Sequence, residues 1–388
     1  MRVHSIRLSG LCFVAAFLGT LPSQSSNWMT AAQQSRSASE AHSPEVGPID
    51  ARDFIPAEAF QRSEEGVWLS PEMKTRFRYD ELIYSWSVRL PEEEGFRLYI
   101  RCGFGEGEWT PWLYAGYWGK VNLVERRRNP VFEQGRLAMD QIFLNEKAET
   151  YQFKVVDEGE RPLSVLPALY VVYTDNSPSL ALWRRFGGPP EKFAGPSVIL
   201  DLPLRSQRDP EGRWSGRCQS AALAVAMEYF GKPMELVDIL PYTYDPEYRY
   251  PGVWPRTIGA GIEFGFEAYI DRFRDWERVR ATVAENKVIL CSILMPEDGD
   301  YIDPPYSSMG GHIVALNGVT DDGRVVVTDS GLFRSGRGYR CQWLQEDFEK
   351  VWMKTKGGVG MVICPPADAP MRRVTDLPPF PGYKKVSQ

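Results

Sequence analysis

The stretch GGHIVALNGVTDDGRVVVTDS, from Gly310 to Ser330, decides how the second half of this chain folds. Two apolar, β-branched runs, 312–319 and 324–329, flank a polar bend at Thr320–Gly323, which predicts an antiparallel hairpin. Side chains alternate along a strand with a period of two. If Asp321 and Asp322 form the tip, residue 314 faces residue 329; if the bend lies one residue earlier, 312 faces 329. Either register keeps His312 and Asp329 on one face, whereas a three-residue bend parts them. Gly310 and Gly311 leave room beside the histidine. A carboxylate next to an imidazole fixes its tautomer and aims the ring. Taken singly, His312 also reads as a hydrogen-bonded core histidine and Asp329 as a turn residue.

An aimed imidazole needs a nucleophile, and WSGRCQSAALAVAMEYFG (Trp214–Gly231) offers one. Its apolar run is a buried helix, apolar nearly all round, that Gly231 can close in the left-handed conformation. Cys218 opens that helix, where unpaired N–H groups and the positive end of the helix dipole favour the thiolate. Ser215 and Gly216 let the preceding loop approach tightly. The competing reading of Cys218 is a buried, inert thiol. Eleven residues upstream, Gln207 ends LPLRSQ; its amide can donate to an oxyanion together with the backbone N–H of the nucleophile, or it is a solvated loop glutamine.

The order Gln207, Cys218, His312, Asp329 resembles the papain-like cysteine peptidases. More narrowly, it is similar to the bacterial family typified by the double-glycine leader peptidases of bacteriocin exporters and their secreted relatives, peptidase family thirty-nine. That family carries PxxxQ, CGPA(S/A) and GHxVxxxGxxxxGxVxVxDP; this chain reads LPLRSQ, CQSAA and GGHIVALNGVTDDGRVVVTDSG. The resemblance spans 197–364. It implies an α+β papain-like domain over 197–365, with Cys218 as nucleophile, His312 as base and acid, Asp329 as its orienting partner and Gln207 as oxyanion donor. Gln219 and Ser220 stand where the family has Gly-Pro, and Ser330 where it has Pro. There is no transporter segment, so bacteriocin export does not carry over.

Outward from this domain, further helices are predicted around 256–264, 276–285 and 344–354, with strands at 288–294 and 359–364. Upstream, 53–175 is all strand signal: 82–88, 96–104, 109–116, 139–144, 150–156 and 167–174 are aromatic or β-branched and separated by Gly, Pro, Glu and Asn. A β-sandwich or jelly-roll-like domain is expected there. The Gly/Pro-rich segment 176–196 reads as an interdomain linker crossed by few contacts, and 366–388 as a Pro-rich tail. GFGEGEW (103–109) lacks a following helix, so it is a hairpin bend and not a phosphate loop. Trp68, Trp86, Trp109, Trp112, Tyr114, Tyr117 and Trp118 are either core and strand-edge residues or a platform for glycan contact.

Composition narrows the function. The 388 residues carry a formal net charge of −6, which gives no reason to expect nucleic acid as a partner, and Arg126–Arg128 reads as a solvated loop. Arg2 and Arg7 precede the apolar run Leu8–Leu21, too short to span a bilayer; 1–30 is expected to be a signal peptide and 31–52 a flexible linker. The mature protein is therefore expected to be secreted or periplasmic, without a transmembrane segment. Five of the six cysteines lie beyond that signal, an odd number with no CxxC spacing. Of three histidines, only His312 lies in the predicted folded body, which excludes multi-histidine metal centres. No cofactor or metal is expected. The sequence favours a cysteine peptidase acting on peptide or protein substrates. It leaves open an acyl transferase on the same fold, or a non-catalytic cell-surface or carbohydrate-binding protein.

Overall fold

A computed structural model describes residues 50–123, 129–177, 193–208 and 217–383. The expected signal (1–30) and most of the expected linker over 31–52 lie outside the described residues. So do Arg126–Arg128, most of 176–196, Ser215, Gly216 and the last five residues.

The first half is built from strands alone apart from one short helical turn: β1 (Asp50–Ile55), β2 (Gln61–Glu64), β3 (Val67–Leu69), β4 (Met73–Ser87), β5 (Gly95–Gly105), β6 (Glu108–Trp109), β7 (Leu113–Gly119), β8 (Val131–Phe132), β9 (Gly135–Ala138), β10 (Gln141–Asp157) and β11 (Ala168–Thr174). They form one antiparallel network in which β10 is the hub. Its first half pairs with β4 and β9 and its second half with β5 and β3, the ladder slipping register between Phe143 and Thr150. The two strands expected at 139–144 and 150–156 are thus one strand bent in the middle. The stretch expected as one strand over 109–116 is instead cut by Pro111 into β6 and β7. The β5–β6 bend carries positive φ at Gly105, Glu106 and Gly107, as a tight hairpin requires.

In the second half, helices α1 (Cys218–Tyr229), α2 (Leu236–Thr243), α3 (Trp254–Glu263) and α4 (Trp276–Ala284) accompany a six-stranded antiparallel sheet. Its strands are β12 (Ala268–Arg272), β13 (Val288–Met295), β14 (Met309–Val319), β15 (Arg324–Thr328), β16 (Cys341–Leu344) and β17 (Val359–Ile363), in the order β12-β17-β13-β14-β15-β16. The helix expected over 344–354 is a short α5 (Gln345–Glu349) that widens into a π-turn over Lys350–Lys354. Ile199 and Leu200 make only isolated bridges, to Gly318 and Arg373. Among the described residues no helix is long and apolar enough to cross a membrane.

The two halves are not loosely joined. Their buried apolar residues form one continuous core. From Glu81 to Trp86 every residue of β4 is buried, because the second half covers the face that an isolated domain would leave to water. Glu81 pairs with Arg272, Asp50 binds Arg274 at 2.8 Å, and Arg52 reaches Asp271 at 2.7 Å. Tyr170 stacks on Tyr269 at 5.3 Å, and Ser85 Oγ accepts the Ile270 N–H at 3.2 Å, occupying the free edge of β12. A Cβ on Gly259 of α3 would lie 2.8–2.9 Å from Trp86 and Trp118, so the helix backbone itself is the contact. The expectation of few crossing contacts is overturned: Gly/Pro density marks where the chain turns, not where packing stops.

The aromatic residues weighed as a glycan platform are committed elsewhere. Trp86, Tyr117 and Trp118 are buried, and Trp68 packs on the core. Arg101 lies 4.2 Å from the ring of Trp109 and 4.8 Å from that of Trp112, Lys154 lies 4.8 Å from Trp112, and Arg97 lies 5.6 Å from Tyr114. These rings are thus engaged in cation–π contacts within the domain, and nothing among the described residues supports glycan contact.

Candidate active site

α1 is buried almost throughout, from Gln219 to Met227 and at Tyr229, and Gly231 ends it at φ +85°. Among the described residues no side chain caps its start, and the Gln219 N–H serves the Cys218 sulfur. Two of the three departures from the family pattern, those on α1, act as ties. Gln219 donates to the Val253 carbonyl at 2.8 Å and to Thr257, locking α1 onto the start of α3. Ser220 Oγ lies 2.7 Å from Thr243 Oγ1, locking α1 onto α2.

The hairpin reaches its register by two compensating steps. Thr320 and Arg324 close a three-residue turn, which alone would put His312 and Asp329 on opposite faces. A β-bulge between Leu316 and Gly318 then shifts the ladder by one residue, so that Ala315 faces Thr328 and residue 314 falls opposite 329. Gly318 is required at the bulge: a Cβ there would lie 2.1 Å from the Val198 carbonyl oxygen.

As a result His312 Nε2 lies 2.8 Å from Asp329 Oδ1. With Nε2 so engaged, Nδ1 is the ring nitrogen left to serve Cys218, whose thiol lies within reach of the imidazole's charge. Asp329 is fully buried and held on three sides: it also accepts from Tyr306 Oη at 2.6 Å and from the Gly331 N–H at 2.8 Å. Burial raises its carboxyl pKa, but His312, Tyr306 and Gly331 together bring it below the usual carboxylate value. Burial likewise pushes the Cys218 thiol up. The charge and hydrogen bond of His312, with the N–H groups of Ile313 and Gln219, outweigh this and lower it. His312 loses by burial and gains more from Asp329 and Cys218, which raise it to about 10. The arrangement favours a thiolate–imidazolium pair over a neutral thiol and imidazole.

Gln207 does not touch this relay directly. It is half-buried, and its Oε1 accepts from Ser330 Oγ at 3.0 Å, so the amide is held by its oxygen. Ser330, where the family has Pro, thus holds the amide while its neighbour Asp329 holds the histidine. Tyr306 and Ser330 are the side chains sequence reasoning missed. Tyr306 sits in DPPYSSM, with no spacing to flag it, whereas Ser330 was visible only as a departure from the family pattern. A cleft of about 380 Å³ opens at Tyr306, lined also by Met295, Pro304, Arg337 and Tyr383.

A strand-rich domain packs on a domain that brings a thiol, an imidazole and a carboxylate together, and the family comparisons assign a domain to each half. Residues 199–359 match the Peptidase_C39 like family, and residues 23–157 match the Peptidase C39 N-terminal domain. The chain thus carries a C39-like peptidase domain behind a C39 N-terminal domain. Among solved structures it is similar to the peptidase domain of Streptococcus ComA, a bi-functional ABC transporter (12% identity, TM-score 0.28, 44% of this chain and 99% of that one). It is also similar to a C39-like peptidase from Bacillus anthracis (15% identity, TM-score 0.33, 44% and 99%). No curated protein matches the chain.

Proposed function

We propose that this protein is an exported cysteine peptidase, with a sandwich-like N-terminal domain and a papain-like catalytic domain. The observation that carries the reading is that Cys218, His312 and Asp329 meet at one site, with His312 Nε2 2.8 Å from Asp329 Oδ1 and the imidazole placed to lower the Cys218 thiol. The Cys218 thiolate attacks a peptide carbonyl carbon, and the oxygen takes up the negative charge. The Cys218 backbone N–H and the Gln207 amide stabilise that oxyanion. His312 gives its Nδ1 proton to the departing amine as the C–N bond breaks, leaving an acyl-enzyme. It then takes a proton from water, whose oxygen attacks the thioester and restores the thiolate. Asp329 keeps the ring aimed and stabilises its charge throughout. Export rests on the Leu8–Leu21 run behind Arg2 and Arg7.

The test is a diverse peptide library incubated with the protein and with Cys218→Ala, read by mass spectrometry. Cleavage products are expected with the first and none with the second. Identical product patterns would overturn the peptidase reading.

A further inference from the structure

The loop between α2 and α3, residues 244–253, passes beside the nucleophile yet is held from the N-terminal domain. It is closed on itself by backbone hydrogen bonds in both directions between Asp245 and Tyr250, at 2.9 and 3.1 Å, around a left-handed Arg249. Asp245, buried, accepts the N–H groups of Glu247 and Tyr248 at 2.9 and 3.0 Å, the side-chain turn that preorganises such a loop. Three contacts then fix it from outside. Tyr114 of β7 donates to the buried Glu247 carboxylate at 2.9 Å. Tyr248 donates to Asn129 at 3.0 Å. Asp140, buried just before β10, accepts the Trp254 N–H at 2.6 Å and so caps α3 from the other domain.

What the loop presents is Tyr250. Its ring lies across Gly252, where a Cβ would come within 1.9 Å of it, so a larger residue there would displace the ring. It nevertheless remains 46% exposed, an aromatic face open to solvent. Three residues on, the Val253 carbonyl is the acceptor that Gln219, next to Cys218, is tied to. The loop and the nucleophile are therefore one mechanical unit. The Tyr250 hydroxyl lies close enough to feel the charges of both Cys218 and Asp140.

We propose that the N-terminal domain is a working part of substrate recognition: through Tyr114, Asn129 and Asp140 it holds the 244–253 loop so that Tyr250 stands near Cys218 and receives an apolar substrate side chain. This rests on Cys218 being the nucleophile of a peptidase. An open aromatic face takes aliphatic or aromatic side chains, and the neighbouring Asp140 carboxylate works against acidic ones. On this account the aromatic contact belongs to the second half of the chain and its position is set by the first.

The experiment measures alkylation of Cys218 by blocked tripeptidyl fluoromethyl ketones. Phenylalanine is placed in turn at each position and glycine at the others, and iodoacetamide serves as a reagent without recognition. Iodoacetamide labelling confined to Cys218 also reports that a variant is folded. At one position the wild type is expected to react about tenfold or more faster with phenylalanine than with glycine, the scale of one apolar contact. That preference is expected to fall to near unity in Tyr250→Ala, to survive in Tyr250→Phe, and to shrink severalfold in Tyr114→Phe. Iodoacetamide labelling of Cys218 together with an unchanged preference in Tyr250→Ala or Tyr114→Phe, or with no preference in the wild type, would overturn the proposal and leave the peptidase reading standing. Failure of every reagent to label Cys218 would remove both.

Discussion

Cys218 is set apart from the other described thiols by electrostatics as well as position. Cys102, Cys291, Cys341 and Cys364 are unpaired and buried. Burial raises Cys102 and Cys341 to about 12 and Cys364 to about 11, and raises Cys291 as well. Only Cys218 is shifted downward and partly exposed. A brief iodoacetamide treatment at about pH 6, well below the ordinary thiol value of about 8.5, should therefore label Cys218 alone. His312→Ala should suppress that labelling at about pH 6 and leave it near normal at about pH 9, where the thiol ionises unaided; a mass-spectrometric map at both pH values decides. For hydrolysis, kcat/KM should rise as the lowered Cys218 thiol ionises and fall as His312 loses its proton near 10. Asp329→Asn should cut kcat by roughly a hundredfold or more. It should also draw the alkaline limb to lower pH, because the carboxylate charge that raises His312 is gone. A pH–rate profile unmoved on its alkaline side would place Asp329 outside the relay. At this scale the sequence was legible where chemistry demands a residue type, as at Cys218, His312 and Asp329. It was illegible where a side chain acts through another, because a hydrogen bond such as Tyr306 to Asp329 leaves no trace in spacing.

Among the elements, the β14–β15 hairpin shows why register is hard to read from a pattern of two. The apolar alternation located both strands, but the turn and the bulge each displace the ladder by one residue, and only their sum returns His312 and Asp329 to one face. The bulge depends on Gly318, pressed against the Val198 carbonyl oxygen. Gly318→Val should destabilise the protein by about 1–3 kcal/mol through overpacking. It should also weaken activity disproportionately, since relieving the clash moves β14 relative to β15. Denaturant unfolding and kcat measured side by side would check this; lost stability with full activity would mean that the register survives without the glycine. Helices were legible where their caps and apolar faces are local, as at α1 and α4. α2 escaped because Pro241 interrupts its pattern, and β12 because it is a five-residue edge strand that makes sense only against β4.

For the molecule as a whole, the single core predicts that the described body unfolds as one unit. Calorimetry should show one transition, and two separated ones would contradict it. Glu81→Ala tests the junction directly. Arg272 is 2% exposed and would lose its carboxylate partner without gaining access to water. Breaking a buried pair from one side costs about 3–5 kcal/mol, so a marked fall in Tm is expected. A Tm within the range of neutral surface substitutions would show that the junction is solvated. Trp86, Ser85 and Glu81 looked like ordinary strand residues in the sequence, because burial by a segment nearly two hundred residues away has no local signature. The covered edge of β12 also bears on inheritance. Composition invites recombination between the halves, yet a gene cut there would encode a second half with an uncovered strand edge and a buried arginine lacking its carboxylate. The two halves are therefore expected to descend together, as one heritable unit whose natural breakpoints lie outside both.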